Sequence, residues 1–222
     1  MPLQGPAYTI RTARLLARCF DPRDAPLLKA AIDASLDHLL PWLAWAREEP
    51  QSVEAKADTL RHFRARFDLD KDWNYGLFTP DEKELVGGLG LHLRGGREAR
   101  EIGYWIAKAH AGTGLATEAA AALVRVCFEV ERVERVEICC DEDNARSLAV
   151  PRKLGFRHDG TLRERMLRGD GSRGGRMVWS LLASEYEASP CARAEFEARD
   201  ALGRVLVAPA SGARPRSRSA FR

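Results

Sequence analysis

The sequence predicts an α+β, or mixed α/β, fold in which a mostly antiparallel sheet is flanked by helices. Three β-prone runs, "NYGLFT", "ELVGGLGLHL" and "AREIGYWIA", follow one another between residues 74 and 107 with turn residues between them. A long alanine-rich helix, a further strand, a short helix and a closing hairpin come next. Short β-prone runs joined by turns indicate an antiparallel meander, whereas a doubly wound sheet would alternate strands and helices throughout.

The N-terminal third is predicted to be helical after one short strand around Leu15–Cys19. Asp21 precedes a proline and can cap a first helix, whose apolar residues recur at helical spacing. The run "LDHLLPWLAWA" continues with a short second helix, and Ser52 opens a third that runs through Phe67. These helices are expected to cover one face of the sheet.

The second half begins with a helix over Thr113–Val130, which is apolar on more than one side and is therefore expected to be largely buried. The run "VERVEICC" alternates as a strand does, and "ARSLAVPRKLG" is predicted to be a helix that ends at Gly155. "TLRERMLR" and "RMVWSLL" are predicted to form the closing hairpin around "GDGSRGG".

The chain is expected to hold one domain, residues 1–188, followed by a basic tail, residues 189–222. The hydrophobic pattern fades after Ser189, and the last nine residues carry four arginines with no apolar face. A disordered terminus is the simplest interpretation of this tail. A tether to nucleic acid or to ribosomes is the alternative.

Composition excludes several classes of protein. The 222 residues are 45% apolar and 30% charged, and the net charge of +3 is too small to indicate nucleic-acid binding by itself. No run approaches the roughly 18 uncharged apolar residues of a membrane span, and the start lacks the pattern of a secretory signal. We therefore expect a cytoplasmic protein with reduced cysteines, no membrane contact and, since its histidines form no cluster, no metal.

The stretch "GTGLAT" at Gly112–Thr117 joins a predicted strand to the alanine-rich helix. Thr117 stands where a dinucleotide fingerprint has its third glycine, and the loop follows a meander, so a Rossmann unit is not indicated. Glycines at this place let backbone N–H groups approach an anion at the helix N-terminus. A tight turn without a ligand is the alternative.

The ordered set "EIGYWI", "GTGLAT" and "DNARSLAVPRKLG", together with "LLPWLAWA", resembles the GNAT superfamily of acetyl-coenzyme A-dependent N-acetyltransferases. The sequence is similar to the Rim-type branch, which modifies the N-termini of ribosomal proteins, over roughly residues 8–187. The resemblance implies a GNAT-like sheet whose fourth strand, Glu101–Ala107, splays from the fifth, Val133–Cys140. Backbone groups freed by the splay would pair with the pantetheine arm of the coenzyme.

The activity implied is direct transfer of an acetyl group from acetyl-coenzyme A to a primary amine. The acceptor is a protein N-terminus or a small-molecule amine, and the sequence does not decide between them. A non-catalytic module that binds or senses acyl-coenzyme A is the alternative. Whether the chain forms a homodimer is also left open.

The resemblance assigns coenzyme binding to the loop, to one strand residue and to the residue that opens "NARS". These are Gly112, Thr113, Gly114, Leu115, Ala116, Thr117, Ile106 and Asn144. A backbone N–H near Ile106 would polarise the thioester carbonyl. Asn144 could instead be a plain helix cap. The family has a basic or amide residue where this chain has Ala109, so one phosphate contact is missing, and Lys108 or His110 could replace it.

Two residues are candidates for proton transfer. Ser147, one helical turn after Asn144, is implied by the resemblance as the proton donor to the departing thiolate. Glu101 is our candidate base because it shares a strand face with Gly103 and Trp105; a strand-edge carboxylate paired with Arg97 or Arg100 is the alternative. The indoles of Trp42 and Trp45 line the amine pocket or belong to the core.

Overall fold

The structure, a computed structural model, describes residues 7–93, 96 and 98–208. Within them, ten strands form one sheet: β1 (Thr9–Arg11), β2 (Leu16–Cys19), β3 (Trp73–Phe78), β4 (Leu85–His92), β5 (Ala99–Ile106), β6 (Arg135–Asp141), β7 (Arg157–Leu167), β8 (Arg173–Leu182), β9 (Glu197–Arg199) and β10 (Val205–Val207). The α-helices of the same residues are α1 (Ala25–Asp33), α2 (Leu36–Leu39), α3 (Val53–Asp68), α4 (Leu115–Glu129), α5 (Ala145–Lys153) and α6 (Ala183–Tyr186).

The strands lie in the order β10-β9-β1-β2-β3-β4-β5-β6-β8-β7. Neighbouring strands are antiparallel except β5 and β6, which are parallel and joined through α4. The predicted meander is β3–β4–β5, and the predicted closing hairpin is β7–β8. The mixed α/β fold with a mostly antiparallel sheet is therefore confirmed.

The sheet buries apolar residues on both faces. Its larger core holds α4, whose four consecutive alanines from Ala119 to Ala122 are all buried against the strands. Small side chains let this helix approach the sheet closely, which explains why it is apolar on several sides. The smaller core on the opposite face packs α1 and α3 against β3 through Phe20, Leu60 and Phe78.

Strands β5 and β6 pair over four residues and then separate. Their register runs from Ala99 opposite Arg135 to Ile102 opposite Ile138, and the rest of β5 is paired with β4 alone. The predicted splay is therefore present and begins at Gly103. It leaves one edge of β5 open where the chain enters the glycine loop.

The segment after Ser189 differs from the predicted tail. Pro190–Arg193 form a turn of 3₁₀ helix, β9 pairs with β1, and β10 pairs with β9. Cys191 and Phe196 are fully buried. These anchors are too short and too far apart to show a period, so no strand was predicted here. The fold thus continues past residue 188, while residues 209–222 with the predicted basic tail lie outside the described residues.

None of the helices in the described residues is long and apolar enough to cross a bilayer.

Candidate functional site

Two cavities meet at the open edge of β5. The first, about 280 Å³, is lined by the glycine loop and the starts of α4 and α5, and we call it the loop cavity. The second, about 530 Å³, lies on the α1–α3 face of the sheet and contains Glu48, Glu49 and Glu101; we call it the glutamate cavity. Residues that line both are Trp42, Leu43, Tyr104, Trp105, Asn144 and Ser147.

The glycine loop presents its main chain to the loop cavity. Gly112 and Gly114 have φ of 79° and 87°, values that side-chain-bearing residues rarely adopt, and Gly114 caps α4 without any side-chain hydrogen bond. The N–H groups of Leu115–Thr117 precede the first i→i−4 bonds of the helix and have no partner within it. A Cβ on Gly112 would meet nothing within 4 Å, so the space beside the loop is open to a ligand.

Thr113 is the one predicted coenzyme residue that does not line the loop cavity. Its hydroxyl donates to the His110 carbonyl at 2.6 Å, and its own carbonyl accepts from Arg14 at 2.9 Å. Arg14 is held in turn by Glu118, 2.6 Å away, one turn into α4. Thr113 therefore fixes the loop from its outer side and can act on a ligand through its backbone alone.

Basic side chains surround the loop cavity. Its lining includes His38, His110, Arg146 and Lys153, and among the described lining residues none is acidic. Burial, followed by the charge of Arg146, lowers the pKa of His38. Of the two proposed replacements for the missing loop cation, His110 lines the cavity and contacts Glu84 at 2.8 Å, whereas Lys108 turns away to Asp37.

Sequence reasoning missed Arg146 and Lys153. Both lie on α5, and Arg146 falls within the "DNARS" stretch that also holds Asn144 and Ser147. Their separation of seven residues is two helical turns, which places them on the same side of the helix. This spacing is the sequence signal from which Arg146 and Lys153 could have been predicted as cavity residues.

The backbone of Ile106 faces the gap between β5 and β6. The next N–H, that of Ala107, donates to the Val86 carbonyl on β4 at 2.9 Å. Successive N–H groups of a strand point to opposite edges, so the Ile106 N–H points away from β4 and into the open edge. Its role as a donor to a carbonyl oxygen stays a prediction.

Asn144 and Ser147 sit where the two cavities join. The Asn144 side-chain oxygen accepts from the Ser147 backbone N–H at 3.1 Å, so Asn144 is the N-cap of α5 as well as a cavity residue. This confirms the capping alternative, and the amide nitrogen of Asn144 is the end of the side chain that can reach a ligand.

The Ser147 hydroxyl is part of a small polar group. It lies 3.2 Å from the Cys140 sulfur and 3.3 Å from the Tyr104 hydroxyl, which itself donates to the Ser147 carbonyl at 3.0 Å. Burial raises the pKa of Tyr104 well above its ordinary value and also raises that of Cys140. Both groups therefore stay protonated near neutral pH and surround Ser147 with neutral partners.

The floor of the glutamate cavity is made by β4 and β5. Gly88, Gly90 and His92 share this face with Glu101, Gly103 and Trp105, which lie directly opposite them. A Cβ on Gly88 would be 2.3 Å from the Trp105 Nε1 atom, so the indole lies directly on the bare strand. Trp45 packs edge-on against Trp105 with ring centroids 6.1 Å apart and closes the cavity from the α2–α3 connection.

Glu101 is buried, and its carboxylate binds Arg176 of β8 at 2.6 Å. Arg176 also reaches the Cys139 sulfur at 3.1 Å. Arg176 was not anticipated as a partner of Glu101. Arg100 contacts Glu131 at 2.7 Å, and Arg97 lies outside the described residues, so its pairing with Glu101 stays a prediction. The sequence did not predict the contact with Arg176 because this residue is 75 positions away from Glu101.

Comparison with known proteins gives the family of this architecture. Residues 14–157 match the family model for an acetyltransferase (GNAT) domain. YdaF of Bacillus subtilis (strain 168), provisionally named as a ribosomal N-acetyltransferase, is 33% identical over 172 residues, which are 77% of this chain and 92% of that protein. The [ribosomal protein uS5]-alanine N-acetyltransferase of Escherichia coli (strain K12) is 28% identical over 167 residues, or 73% of this chain and 84% of that protein.

Solved structures share the fold. A crystal structure of a probable acetyltransferase is 31% identical, covers 78% of this chain and 96% of its own, and superposes with a TM-score of 0.72. RimL, a ribosomal L7/L12 alpha-N-protein acetyltransferase solved with coenzyme A, superposes with a TM-score of 0.70 at 21% identity, over 77% of this chain and 95% of that one.

Proposed function

This chain belongs to the GNAT acetyltransferase family, and from that premise we propose that its acceptor is the N-terminal amine of a protein. The protein is an acetyl-coenzyme A-dependent N-acetyltransferase. The observation that carries the proposal is the meeting of a basic cavity and an acid-containing cavity at Ser147 and Tyr104. One cavity suits a diphosphate and the other suits an amine, and the junction brings their reactive ends together.

Bound acetyl-coenzyme A would supply an acetyl group activated as a thioester. We infer that the backbone N–H groups of Gly112 and of residues 114–117 hold its diphosphate, because these residues line the cavity and stand at the positive end of α4. Arg146 and Lys153 add cations on the α5 side. Leu115, Ala116 and Thr117 contribute main chain, so their side-chain identities matter less than the conformation of the glycines.

Three groups act near the acyl carbon in this proposal. The Ile106 N–H donates to the carbonyl oxygen, a contact worth roughly 2.7–4 kcal/mol when negative charge develops there. The Asn144 amide nitrogen binds the pantetheine arm. The Ser147 hydroxyl gives a proton to the departing sulfur and regains one from the nitrogen that becomes the amide, since it lines both cavities and has neutral neighbours.

Glu101, Trp42 and Trp45 serve the acceptor side. The buried carboxylate of Glu101 attracts the ammonium form of the incoming amine. The same carboxylate is bound to Arg176. The indoles of Trp42 and Trp45 form apolar walls along the path by which the acceptor enters.

An α-amine suits this site better than a lysine side chain. An α-amine has an ordinary pKa of about 7.7–8.0, so roughly 10–15% of its molecules are uncharged at pH 7. A lysine side chain has a pKa of about 10.4, so less than about 0.1% of its molecules are uncharged. One relative named above is by name an alanine N-acetyltransferase of ribosomal protein uS5, and another is provisionally named a ribosomal N-acetyltransferase. Such an acceptor would place the protein in the cytoplasm.

A thiol-release assay across three acceptor sets tests the proposal. The sets are peptides with free N-termini, the same peptides with a blocked N-terminus and one lysine, and small amines such as amino acids and polyamines. We expect turnover with the first set, and mass spectrometry should place one acetyl group on the α-amine. Turnover confined to small amines, or acetylation of the blocked peptides on lysine, would refute the protein N-terminus as acceptor.

A further inference from the structure

Asp72 and His92 form a hydrogen-bonded pair at the floor of the glutamate cavity. We propose that this pair accepts the proton that the acceptor amine loses, with His92 as the catalytic base and Asp72 as its positioning residue. The inference rests on the proposed function and adds to it the route by which the amine becomes nucleophilic.

The sheet places the pair in one row of side chains. His92 on β4 lies directly opposite Glu101 on β5, and the adjacent register pair on the other side is Trp73 with Leu91. Asp72 immediately precedes Trp73, so it continues the row on the far side of His92. The row therefore runs Asp72–His92–Glu101 across three strands, with the histidine between two carboxylates.

The contacts of its two nitrogens orient the His92 imidazole. Nδ1 lies 2.5 Å from the Asp72 carboxylate. Nε2 lies over the bare backbone of β4 and β5, because a Cβ on Gly90 would be 2.4 Å from it and one on Gly103 would be 3.5 Å away. Glycines at these positions let the ring lie flat on the sheet with Nε2 toward the cavity.

The Nε2 atom of His92 lies near the junction of the two cavities. Gly103 follows Ile102, the last residue of β5 that pairs with β6, and precedes Tyr104, which lines both cavities. Nε2 thus stands where the strands begin to separate. This is where an amine in the glutamate cavity would approach an acyl group held in the gap.

Asp72 fixes the tautomer that a base requires. Burial opposes its ionisation, but the hydrogen bond and charge of His92, together with Arg66 at 3.4 Å, outweigh burial and lower the pKa of Asp72. An ionised Asp72 accepts a hydrogen from Nδ1, which leaves Nε2 with its lone pair. An orienting carboxylate behind a catalytic imidazole acts in this way in hydrolases.

Charged groups face His92 from the elements packed around it. Asp72 faces it from the start of β3 and Glu101 from β5, while Glu137 and Cys139 follow from β6. Arg66 of α3, Arg135 of β6 and Arg176 of β8 are bound to Asp72, Glu137 and Glu101, respectively. Each cation is thereby occupied by a carboxylate, and the imidazolium forms between two of those carboxylates.

The step itself is a single proton transfer. The N–H bond of the acceptor ammonium breaks, the Nε2–H bond forms, and the electron pair stays on the amine nitrogen, which then attacks the acyl carbon. The imidazole Nε2 carries a lone pair that no cation of the described residues binds in this arrangement, whereas the Glu101 carboxylate is bound to Arg176. The proton leaves to water when the product departs.

The test compares His92→Gln with a matched control elsewhere in the chain. His62 and Asp58 also form a histidine–aspartate pair, 3.6 Å apart on the exposed face of α3 and away from both cavities. We expect His92→Gln to lower kcat/KM for the acceptor peptide about 100-fold, the lower end of the range for general bases, and His62→Gln to leave it unchanged. Acetyl-coenzyme A affinity should change less than about twofold in both.

The pH dependence separates a base from a structural residue. Histidine changes charge between about pH 5 and 8, so the wild-type profile should rise through an imidazole ionisation as well as that of the amine. His92→Gln should retain the amine ionisation alone. Asp72→Asn, which keeps the ring, should lower kcat by less than the roughly 100-fold expected of His92→Gln and shift the imidazole limb. Added imidazole should restore part of the activity of His92→Ala.

Several outcomes would overturn the inference. His92→Gln could keep its rate within about threefold with an unchanged pH profile, or could lose rate equally at every pH without rescue of His92→Ala by imidazole. If His92→Gln does not fold, an Asp72→Asn profile identical to wild type decides against the pair. Failure of the wild type to release thiol with any acceptor instead refutes the proposed function, and this inference with it.

Discussion

The loop cavity and the glutamate cavity share part of their lining along β5 but are built on different principles. The loop cavity presents main-chain N–H groups and basic side chains, and its described lining contains no acidic residue. The glutamate cavity presents side chains of both signs, with Glu49 bound to Lys56 and Glu101 bound to Arg176. The first can bind a multiply charged anion without rearrangement. The second holds charges in ion pairs that a cationic ligand can exchange for its own contacts.

This difference suits the two reactants. A diphosphate carries permanent charge, and fixed backbone dipoles bind it at little reorganisation cost. An amine must lose a proton inside its cavity, so that cavity needs groups able to exchange charge. Ser147 and Tyr104, which line both cavities, stand where the two kinds of site meet.

Removing the hydroxyl at the junction should have the largest effect. We expect Ser147→Ala to lower kcat about 100-fold, because the sulfur would leave without a proton donor. Coenzyme affinity measured by calorimetry should stay within about twofold. Ser180→Ala is the matched control, since the Ser180 hydroxyl is likewise hydrogen-bonded, to Asp159 at 3.0 Å, but lines neither cavity. An unchanged kcat in Ser147→Ala would exclude the serine as donor.

Neutralising Glu101 should damage the acceptor side alone. We expect Glu101→Gln to lower kcat/KM for the acceptor about 30-fold, since a hydrogen bond to a charged group contributes roughly 1.5–3 kcal/mol. Glu131→Gln is the control, because Glu131 forms a comparably buried pair with Arg100 outside both cavities. Equal losses of activity in the two variants would mean that the effect arises from stability, which thermal unfolding would reveal.

A side chain on the loop should damage the coenzyme side alone. Gly112 and Gly203 have φ of 79° and 75°, and a Cβ on either meets nothing within 4 Å. Gly112→Ala and Gly203→Ala should therefore each cost about 1–2 kcal/mol of stability from the left-handed backbone. We expect Gly112→Ala alone to weaken acetyl-coenzyme A binding, about tenfold. Identical binding by the two variants would argue against the loop as diphosphate site.

The smallest predicted effect uses Cys139 as a reporter of the glutamate cavity. Burial, and then the charge of Glu101, raise the pKa of Cys139 to about 11, so its thiol is almost wholly protonated at about pH 8.5. Glu101→Gln removes that anion and lowers the pKa, and alkylation should be about threefold faster for each half unit by which the pKa falls.

Cys191 provides the internal control for this experiment. It is buried, lines neither cavity, and has a pKa raised to about 12 by burial. Its labelling, measured by mass spectrometry, should be the same in wild type and Glu101→Gln. Unchanged labelling of Cys139 would show that Glu101 does not govern the charge of this cavity.

The two cavities also differ in how far the sequence predicted them. The loop cavity depends on contiguous stretches, so "GTGLAT" and "DNARS" were enough to locate its glycines, Asn144 and Ser147. The pairing of β5 with β6 could likewise be anticipated from one family resemblance. Local conformation and helix ends are determined by neighbouring residues, which is why these parts were predictable.

The glutamate cavity depends on contacts between distant residues. His92 approaches Asp72 across 20 positions, and Glu101 approaches Arg176 across 75. An alternating strand pattern shows that His92 and Gly90 share a face, but not which partner lies above them. The short strands β9 and β10 were missed for a related reason, because three-residue strands carry too little pattern to be recognised.

The indole of Trp105 lies on Gly88 and forms part of the wall shared by both cavities. An alanine at position 88 would push the ring away, because its methyl carbon would fall 2.3 Å from Nε1. The separation of the donor cavity from the acceptor cavity therefore depends on the absence of a Cβ atom at position 88. Acceptor selectivity is accordingly open to protein engineering at a position that bears no side chain at all.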